Sequence, residues 1–510
     1  MAAGIRRLAK DTATYGLSSI IGRFLNWMLV PMYVRVLEGT GEYGIVTNLY
    51  GWMALLLVIL TCGMETGFFR FITKREEREP MRVYATVLYS IALAAALFFA
   101  LCLLFLQPLS RGMGYAAHSE YVGMTAGIVA LDAFCCIPFA FLRYRNRAMR
   151  FAVIKLLSIG LNIALNIFFL LICPWLNRMH PEWTGWFYRE DYGVGYIFVS
   201  NVFTSLLVFI LLLPDMLPGL RAKPDLQRLK RILPYAFPIL MLGVAGIFNQ
   251  NADKILFPYL FEDKTFAASQ LGIYGACFKI AVVMVMFIQA FRYAYEPFIF
   301  SREKETGASG ACAAAMKYFI IMALALFLGV MFYIDVLKYF VGPAYYSGLK
   351  VVPPVMLGEL FYGVYFNLSV WYKLTDKTVW GARFSAVGCV VTVAVILVFV
   401  PRCGFMACAW AAVASNLVMM LLSYFIGQKH YPTAYDIRSA GLYALLAAGL
   451  YAAGMWPEIG NPYLRLAYRS VLLALFLGFI LKRDLPPKEW PFVGRYFNRK
   501  SKNITYKSNI

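Results

Sequence analysis

Charged and amide side chains interrupt the long apolar segments of this 510-residue chain, and their types suit the binding of ions. A charge at the centre of a lipid bilayer costs ~2.5–3.5 kcal/mol on insertion scales, so such a residue normally faces a partner or a water-filled space. Guanidinium and ammonium groups there suit an anionic ligand, whereas carboxylates suit a cation or a proton. The candidate site residues are Arg23, Asn26, Glu65, Arg70, Asp132, Asn249, Asp253, Lys254, Lys279, Arg292, Glu296 and Glu359.

Spacing places several of these residues on common helix faces. Arg23 and Asn26 are three positions apart, and Asn249 and Asp253 are four apart within the segment FNQNADK. Residues at these spacings are neighbours on a helix. Because FNQNADK gathers several polar groups into two turns, it predicts a water-filled lining.

The charged residues differ in how readily a local partner explains them. Arg292 and Glu296 have the i, i+4 spacing of an ion pair, which is a structural explanation. Arg70 lies close enough to a span end to reach the membrane surface. Lys279 has no local partner in the sequence, so it is the better candidate for an anionic ligand. Acids and bases both occur, so a net positive lumen requires that some acids pair or carry protons.

The elements that must position these residues are fourteen apolar segments, each long enough to cross a bilayer as a helix. The first is expected to be a true span because no cleavage site follows it. The predicted spans are about 12–35, 43–69, 83–107, 119–142, 151–173, 193–213, 232–260, 271–299, 312–334, 349–372, 381–400, 404–427, 438–456 and 461–481.

Composition excludes most other classes of protein. With 61% hydrophobic and only 15% charged residues, the chain cannot fold around one water-soluble core. The ten cysteines form no Cys-x-x-Cys pair, nine of them lie in or beside apolar segments, and the three histidines are far apart. The sequence therefore predicts no metal site and no cofactor.

Basic residues alternate between loops and predict the orientation. Of the 48 Lys and Arg residues, 33 fall on one side of the predicted spans and 10 on the other. Short basic loops remain in the cytoplasm, so both termini are expected there. The net charge of +21 is then a signal of topology and of contact with anionic lipid, and no nucleic-acid partner is expected.

A weak internal repeat predicts two lobes. The segment from Ala13 to Gly51 and the segment from Leu233 to Gly275 each end a span with proline and an aromatic residue before restarting on a Tyr- and Gly-containing element. Six spans precede the second copy, so both copies share an orientation and an axis along the membrane normal. A shared preference for proline and glycine at span ends is the alternative explanation. The predicted domains are 1–228 (spans 1–6), 229–430 (spans 7–12) and 431–510 (accessory spans 13–14 and a basic cytoplasmic tail).

Four segments together resemble the polysaccharide transport family, the flippases of lipid-linked oligosaccharides such as O-antigen units. They are SSIIGRFLNWMLVPMYVRVLEGTGEYG, GMETGFFRF, LRYRNRAMRFAVIK and LGIYGACFKIAVVMVMFIQAFRYAYEPFIF. This family belongs to the multidrug/oligosaccharidyl-lipid/polysaccharide exporter superfamily. The resemblance covers essentially the full length, and its motifs are more specific for the family than for the substrate.

The resemblance implies an all-α membrane protein with two six-helix lobes, two accessory helices and a cationic central cavity. In such a protein an undecaprenyl-diphosphate-linked glycan passes from the cytoplasmic to the periplasmic leaflet of the bacterial inner membrane by alternating access, without enzymatic chemistry. Arg23, the pair Asp253–Lys254, and Glu296 match family positions. The implied partners are membrane lipids, the lipid-linked substrate, and the glycan polymerase and chain-length machinery.

The candidate residues divide into two roles under this resemblance. The substrate-binding set is Arg23, Asn26, Arg70, Asn249, Lys254, Lys279 and Arg292. The ion-coupling set is Glu65, Asp132, Asp253, Glu296 and Glu359. These acids depart from a purely cationic cavity. Protons, sodium or the membrane potential remain alternative sources of energy.

Other functions stay open at this point. A multidrug antiporter of the same superfamily predicts a cavity of acids and aromatics, and a flippase of the peptidoglycan lipid precursor predicts the same features as the oligosaccharide flippase. A membrane glycan polymerase or glycosyltransferase should carry a sizeable outer loop with carboxylates. The loop 174–192 is short and tryptophan-rich, so the enzyme ranks below the transporters. A non-transporting scaffold leaves the buried polar residues unexplained.

Overall fold

The computed structural model describes residues 21–73, 79–301, 308–375 and 377–484, and every regular element in these ranges is a helix. The beginning of the first predicted span and most of the basic C-terminal tail lie outside the described residues. Residues 21–27 are helical. The helices that follow in the first half are α1 (Val30–Val36), α2 (Thr40–Thr61), α3 (Met64–Ile72), α4 (Pro80–Leu104), α5 (Leu106–Met113), α6 (Ser119–Tyr144), α7 (Ala148–Ile167), α8 (Cys173–Met179), α9 (Pro181–Thr184) and α10 (Gly193–Arg221).

The second half continues with the same alternation of long helices and short turns. Its helices are α11 (Leu226–Leu256), α12 (Lys264–Ser301), α13 (Ala308–Phe332), α14 (Ile334–Leu337), α15 (Val352–Leu368), α16 (Val370–Leu374), α17 (Val379–Cys403), α18 (Phe405–His430), α19 (Ile437–Met455) and α20 (Pro462–Arg483). Short helical turns connect several of them, at Ala116–His118, Phe168–Ile172, Glu190–Tyr192, Phe257–Leu260, Lys338–Phe340 and Pro343–Val351.

Twelve helical stretches in the described part of the chain are long and apolar enough to cross a membrane. They coincide with the second to twelfth and the fourteenth predicted spans, so the all-helical, multi-pass architecture is confirmed. The predicted count of fourteen is not reached. The first span begins outside the described residues, and α19, the thirteenth, is helical but is not among the twelve.

A break between α2 and α3 positions Glu65. Cys62 and Gly63 both adopt left-handed backbone conformations, with φ of 50° and 63°. At Gly63 a Cβ atom would also come within 2.7 Å of the backbone oxygen of Ala236. Only glycine meets both requirements without strain. The break therefore redirects the chain so that Glu65, at the start of α3, faces α6.

One end of the long helices α4, α6, α7 and α10 is held together by stacked aromatic rings and an ion pair. Tyr84 stacks on Phe141 with ring centroids 4.1 Å apart, and its hydroxyl donates to the backbone oxygen of Asp215 at 3.0 Å. The Asp215 carboxylate in turn pairs with Arg150 at 2.8 Å. These contacts fix the helices on which the site described below is built.

The described residues divide into two compact units, one within 21–286 and 340–427 and one within 287–339 and 428–484. The candidate site residues up to Lys279, together with Glu359, belong to the first unit. In the second unit, Lys317 pairs with Asp484 and with Asp436, the latter at 3.5 Å, and these contacts join α13 to the ends of α19 and α20. Arg469 pairs with Asp335 at 2.8 Å at the opposite ends of the same helices.

Candidate functional site

A cavity of about 610 Å³ lies inside the first unit, among helices that all precede residue 222. It is lined by residues of α2, α3, α6, α7 and α10 and by Asn26. Its charged lining residues are Glu65, Asp132, Arg143 and Lys155. We call this space the N-terminal cavity. Because it gathers four charges from three helices, it is the first candidate for an ion or ligand site.

Glu65 and Arg143 form an ion pair between α3 and α6 in this cavity. Both side chains remain about one third exposed, at 39% and 34%. The thiol of Cys136 also lies 3.4 Å from the Glu65 carboxylate, and the Arg143 guanidinium lies 5.2 Å from the centroid of the Phe69 ring. The pair is therefore partly hydrated and belongs to the wall of the cavity rather than to its packed core.

Asp132 and Lys155 supply the other two charges. One Asp132 oxygen accepts a hydrogen bond from the Ser205 hydroxyl at 2.8 Å, which links α6 to α10. The Lys155 ammonium lies 4.3 Å from the centroid of the Phe139 ring, a cation–π distance. Asp132 and Lys155 also attract each other electrostatically. The carboxylate is thus fixed by Ser205, whereas the ammonium rests on an aromatic face beside it.

Amide side chains complete the polar surface. The Asn201 amide donates to the Tyr50 hydroxyl at 2.7 Å. The Asn166 amide donates to the Asn162 side-chain oxygen at 2.9 Å, and Asn166 accepts from Tyr33 at 3.0 Å. Of these two asparagines of α7, Asn166 packs between helices and Asn162 lines the cavity.

A second group of charges surrounds Asp253 on α11. The Lys254 ammonium lies 3.4 Å from one Asp253 oxygen, and the Tyr274 hydroxyl of α12 donates to the other at 2.6 Å. Lys254 also donates to the backbone oxygen of Gln250 at 3.2 Å. We call Asp253, Lys254, Lys279 and Glu359 the Asp253 cluster. The predicted acid–base pair Asp253–Lys254 is present in the structure.

Lys279 and Glu359 join this cluster by electrostatic interaction rather than by direct contact. The Lys279 ammonium is close enough to Lys254 for the two to repel each other. Glu359 on α15 interacts with Lys254 and with Asp253. Two acids and two bases are therefore gathered here, the same formal balance as in the N-terminal cavity. Neither cluster by itself forms the purely cationic site that the resemblance implies.

Asn249 serves as a hydrogen-bond hub one turn before the Asp253 cluster. Its side-chain oxygen accepts from the hydroxyls of Thr392 on α17 and Ser415 on α18, the latter at 3.1 Å. Both bonds connect different helices, so this amide oxygen is used for packing. The prediction that Asn249 binds a ligand stays a prediction.

The remaining predicted residues, Arg23, Arg70, Arg292 and Glu296, do not line the N-terminal cavity. Arg23 is exposed, and Arg70 lies with its guanidinium 4.2 Å from the centroid of the Tyr235 ring. Arg292 and Glu296 form their predicted i, i+4 ion pair at 3.5 Å in the second unit. The sequence did not identify Arg143, Lys155 or Ser205 as site residues. Arg143 and Lys155 belong to a basic segment near span ends, where positive charge indicates topology, and the spacing of Ser205 carries no signal of its own.

A close approach of α2 and α12 marks their N-terminal ends. A Cβ atom on Gly44 would overlap the backbone of Ala268, and one on Gly272 would overlap the backbone of Thr40. The Thr40 and Ser269 hydroxyls are 2.6 Å apart and hydrogen-bonded. Such backbone contact requires glycine on both helices. We call this contact the α2–α12 seal.

Solved structures share this fold. The lipid II flippase MurJ in an inward closed conformation gives a TM-score of 0.72 at 13% identity, covering 92% of this chain and 98% of that one. An inward-facing MATE family multidrug resistance transporter of the MOP superfamily gives 0.61 at 14% identity, covering 86% and 99%. The MATE multidrug transporter DinF-BH in complex with R6G gives 0.57 at 16% identity, covering 82% and 95%. These likenesses establish the fold.

The sequence itself identifies the family. No curated protein matches it significantly. A family model described as polysaccharide biosynthesis protein matches residues 8–303, more than half of the chain. This match and the shared fold confirm the resemblance found in the sequence, and the chain belongs to the polysaccharide biosynthesis protein family, with the architecture of MOP-superfamily transporters.

Proposed function

We propose that this protein is a flippase that moves an oligosaccharide linked to undecaprenyl diphosphate across the bacterial inner membrane. The cargo is an O-antigen or capsular or exopolysaccharide repeat unit, and it passes from the cytoplasmic to the periplasmic leaflet. Both termini are cytoplasmic, as the loop charges predict. Family membership supports the polysaccharide cargo, and the fold supports transport rather than enzymatic chemistry.

One observation carries this proposal: eight charged side chains of the described spans are gathered in two polar clusters. The N-terminal cavity holds four of them and the Asp253 cluster four more. A diphosphate-linked glycan needs such a polar route, because neither its charge nor its hydroxyl groups can enter hydrocarbon. The lipid tail can remain in the bilayer.

Cationic side chains bind the diphosphate in this proposal. Lys254 and Lys279 are close together on neighbouring helices, and their mutual repulsion would be relieved by an anion between them. Arg23, Arg70 and Arg292 contribute guanidinium groups, which match phosphate geometry. Asn26 and Asn249 are the proposed polar contacts.

Carboxylates supply the coupling to an ion gradient. Glu65 and Asp132 lie in the N-terminal cavity, and Asp253 and Glu359 lie beside the two lysines. Glu296, which is paired with Arg292, is the fifth proposed coupling residue. Binding of a proton to one of the other four carboxylates changes the charge of its cluster by one unit. Moving one charge across the membrane is worth ~2.3 kcal/mol per 100 mV of membrane potential.

Alternating access is the proposed route, with two lobes of residues 1–228 and 229–430 and accessory spans in 431–510. The α2–α12 seal lies at the N-terminal ends of both helices, which the distribution of basic residues between loops places on the periplasmic side. Opening to the periplasm requires that Gly44 and Gly272 separate. A disulfide between Thr40→Cys and Ser269→Cys should therefore abolish export, and reduction should restore it. Unchanged export with the cross-link fully formed would contradict this route.

Substitution of the cations tests the cargo. Lys279→Ala or Arg23→Ala should abolish surface glycan export while the protein remains inserted and abundant. Lys350→Ala is the matched control, because Lys350 lies 5.3 Å from the Phe405 ring and outside both clusters. Normal export by both site variants would reject the proposed cationic route.

A cation-coupled multidrug antiporter is the main alternative, because the fold is shared with MATE transporters and acids line the N-terminal cavity. A flippase of the peptidoglycan lipid precursor is the other, given the likeness to MurJ. A membrane glycan polymerase ranks lower. Purified protein in liposomes should flip lipid-linked oligosaccharide in preference to the precursor and should leave cationic dye gradients unchanged.

A further inference from the structure

Lys155 is one of the four charged residues that line the N-terminal cavity. Its ammonium lies in a cavity of about 610 Å³, against the face of Phe139. Within the described part of the chain, Lys155 forms no salt bridge within 4 Å. Its ammonium is attracted electrostatically by the Asp132 carboxylate. A partly exposed ammonium held by an aromatic face and lining a cavity has room to move toward that carboxylate.

The other titratable groups of the cavity leave Asp132 and Lys155 as the exchangeable pair. α3 contributes Glu65, which is bound to Arg143 of α6. α6 also contributes two thiols, Cys135 and Cys136, and Cys136 lies against Glu65. Lys155 is the charged lining residue from α7, and the lining residues from α10 are uncharged. Once the Glu65–Arg143 pair is set aside, one carboxylate and one ammonium remain.

The ligand set around Asp132 would suit a small metal cation if Lys155 were absent. Hard cations such as Na⁺ and Ca²⁺ prefer carboxylate, hydroxyl and amide oxygens. Asp132 is joined to the Ser205 hydroxyl at 2.8 Å, and Thr204 and Asn201 line the same cavity. An ammonium beside them supplies the positive charge that a metal ion would supply, and it repels a second cation.

We propose that Lys155 is a tethered cation that takes the place of a metal ion at Asp132 and so restricts this site to protons. The inference rests on the proposed function only in treating Asp132 as a coupling carboxylate. When Asp132 binds a proton, the ammonium loses its counter-charge and rests on Phe139, as in the structure. When the proton leaves, the ammonium moves to the carboxylate. One proton is exchanged, and no metal ion enters.

Sodium alone is the probe for this proposal. The purified full-length protein is heated in detergent with NaCl or with choline chloride at equal ionic strength. Wild type should melt at the same temperature in both salts. Lys155→Met should gain a sodium-dependent rise of roughly 2 °C or more, because a ligand that binds only the folded state raises its melting temperature. Lys155→Arg keeps the charge and should behave as wild type.

Two further variants make the result decisive. The double variant Asp132→Asn/Lys155→Met should lose the sodium response, whereas Lys350→Met, which removes a lysine from another aromatic ring, should not acquire one. If Lys155→Met fails to fold, the double variant should fold again, because it no longer buries an uncompensated carboxylate. Sodium stabilisation of wild type that disappears in Asp132→Asn would overturn the proposal. No added response in folded Lys155→Met, or no rescue by the double variant, would also overturn it. Glycan export is measured separately, so failure of the proposed cargo leaves this result unaffected.

Discussion

The N-terminal cavity and the Asp253 cluster contain the same formal charges, two acids and two bases, but they hold them differently. In the Asp253 cluster, Asp253 is bound by Lys254 and Tyr274 together, and the pair is mostly buried, with 11% and 14% of the side chains exposed. In the N-terminal cavity, Lys155 rests on a ring and faces about 610 Å³ of space. The two clusters therefore carry the same formal charge, but the Lys155 ammonium has more room to move than the Asp253–Lys254 pair.

This difference indicates a division of labour. A charge that is mostly buried and bound on two sides is costly to disturb, so its removal acts on stability as well as on function. A charge that faces a polar cavity can change partners at low cost, so it can respond to a proton or a ligand. We therefore expect substitutions at Asp253 to act first on stability and substitutions at Asp132 to act first on function.

The largest expected effect comes from removing one acid of each cluster by the same isosteric change. Asp253→Asn should lower the free energy of unfolding by about 3 kcal/mol, because it leaves buried ammonium groups uncompensated. Asp132→Asn should lower it by about 1 kcal/mol or less, because Asn can still accept from Ser205 and the cavity is polar. Denaturant unfolding in detergent measures both. Equal losses would remove the distinction between the clusters.

The next effect concerns the Glu65–Arg143 pair in the wall of the cavity. Glu65→Arg or Arg143→Glu alone should reduce glycan export at least roughly tenfold, because each places two like charges in contact. The exchanged double variant Glu65→Arg/Arg143→Glu should recover most of the export. Surface glycan is measured at matched protein abundance. If the double variant stays as poor as the singles, the pair acts by more than charge complementarity.

Hydropathy and local spacing made the helices and one ion pair predictable from the sequence. The i, i+4 spacing of Arg292 and Glu296 on one helix was informative, whereas the pair Asp253–Lys254 was implied by the family resemblance. The N-terminal cavity depends instead on α3, α6, α7 and α10 meeting, across 71 positions between Glu65 and Cys136. Lys155 belongs to a segment whose charge pattern also signals topology. Only the packing of the helices shows that its ammonium faces inward.

A smaller effect separates hydroxyls that join helices from hydroxyls that line space. Thr392→Val should cost about 1 kcal/mol of unfolding free energy, because the Thr392 hydroxyl donates to Asn249 on another helix. Thr204→Val is the matched change in the N-terminal cavity. The Thr204 hydroxyl donates to the Ser200 backbone of its own helix at 2.7 Å, so its loss should cost less than about 0.5 kcal/mol. A larger cost at Thr204 would mean that the cavity wall is packed more tightly than its volume indicates.

The smallest effect provides the baseline for any pH response of the cavity. Asp263 precedes α12, and hydrogen bonds from the Thr265 hydroxyl and from the Thr265 and Phe266 N–H groups hold the pKa of its carboxyl below the ordinary value of 3.8. A lowered pKa in the folded state stabilises the protein above the unfolded pKa, and this contribution is lost as the pH falls through the folded value.

Asp263→Asn keeps a capping side chain but does not titrate, so it should flatten the fall in melting temperature below about pH 4 and leave the range from pH 5 to 8 unchanged. Melting temperatures across this range test the expectation. A pH response between 5 and 8 that survives Asp263→Asn but disappears in Asp132→Asn would then belong to the cavity. If Asp263→Asn alone removed it, the exposed cap rather than the cavity would carry the linkage.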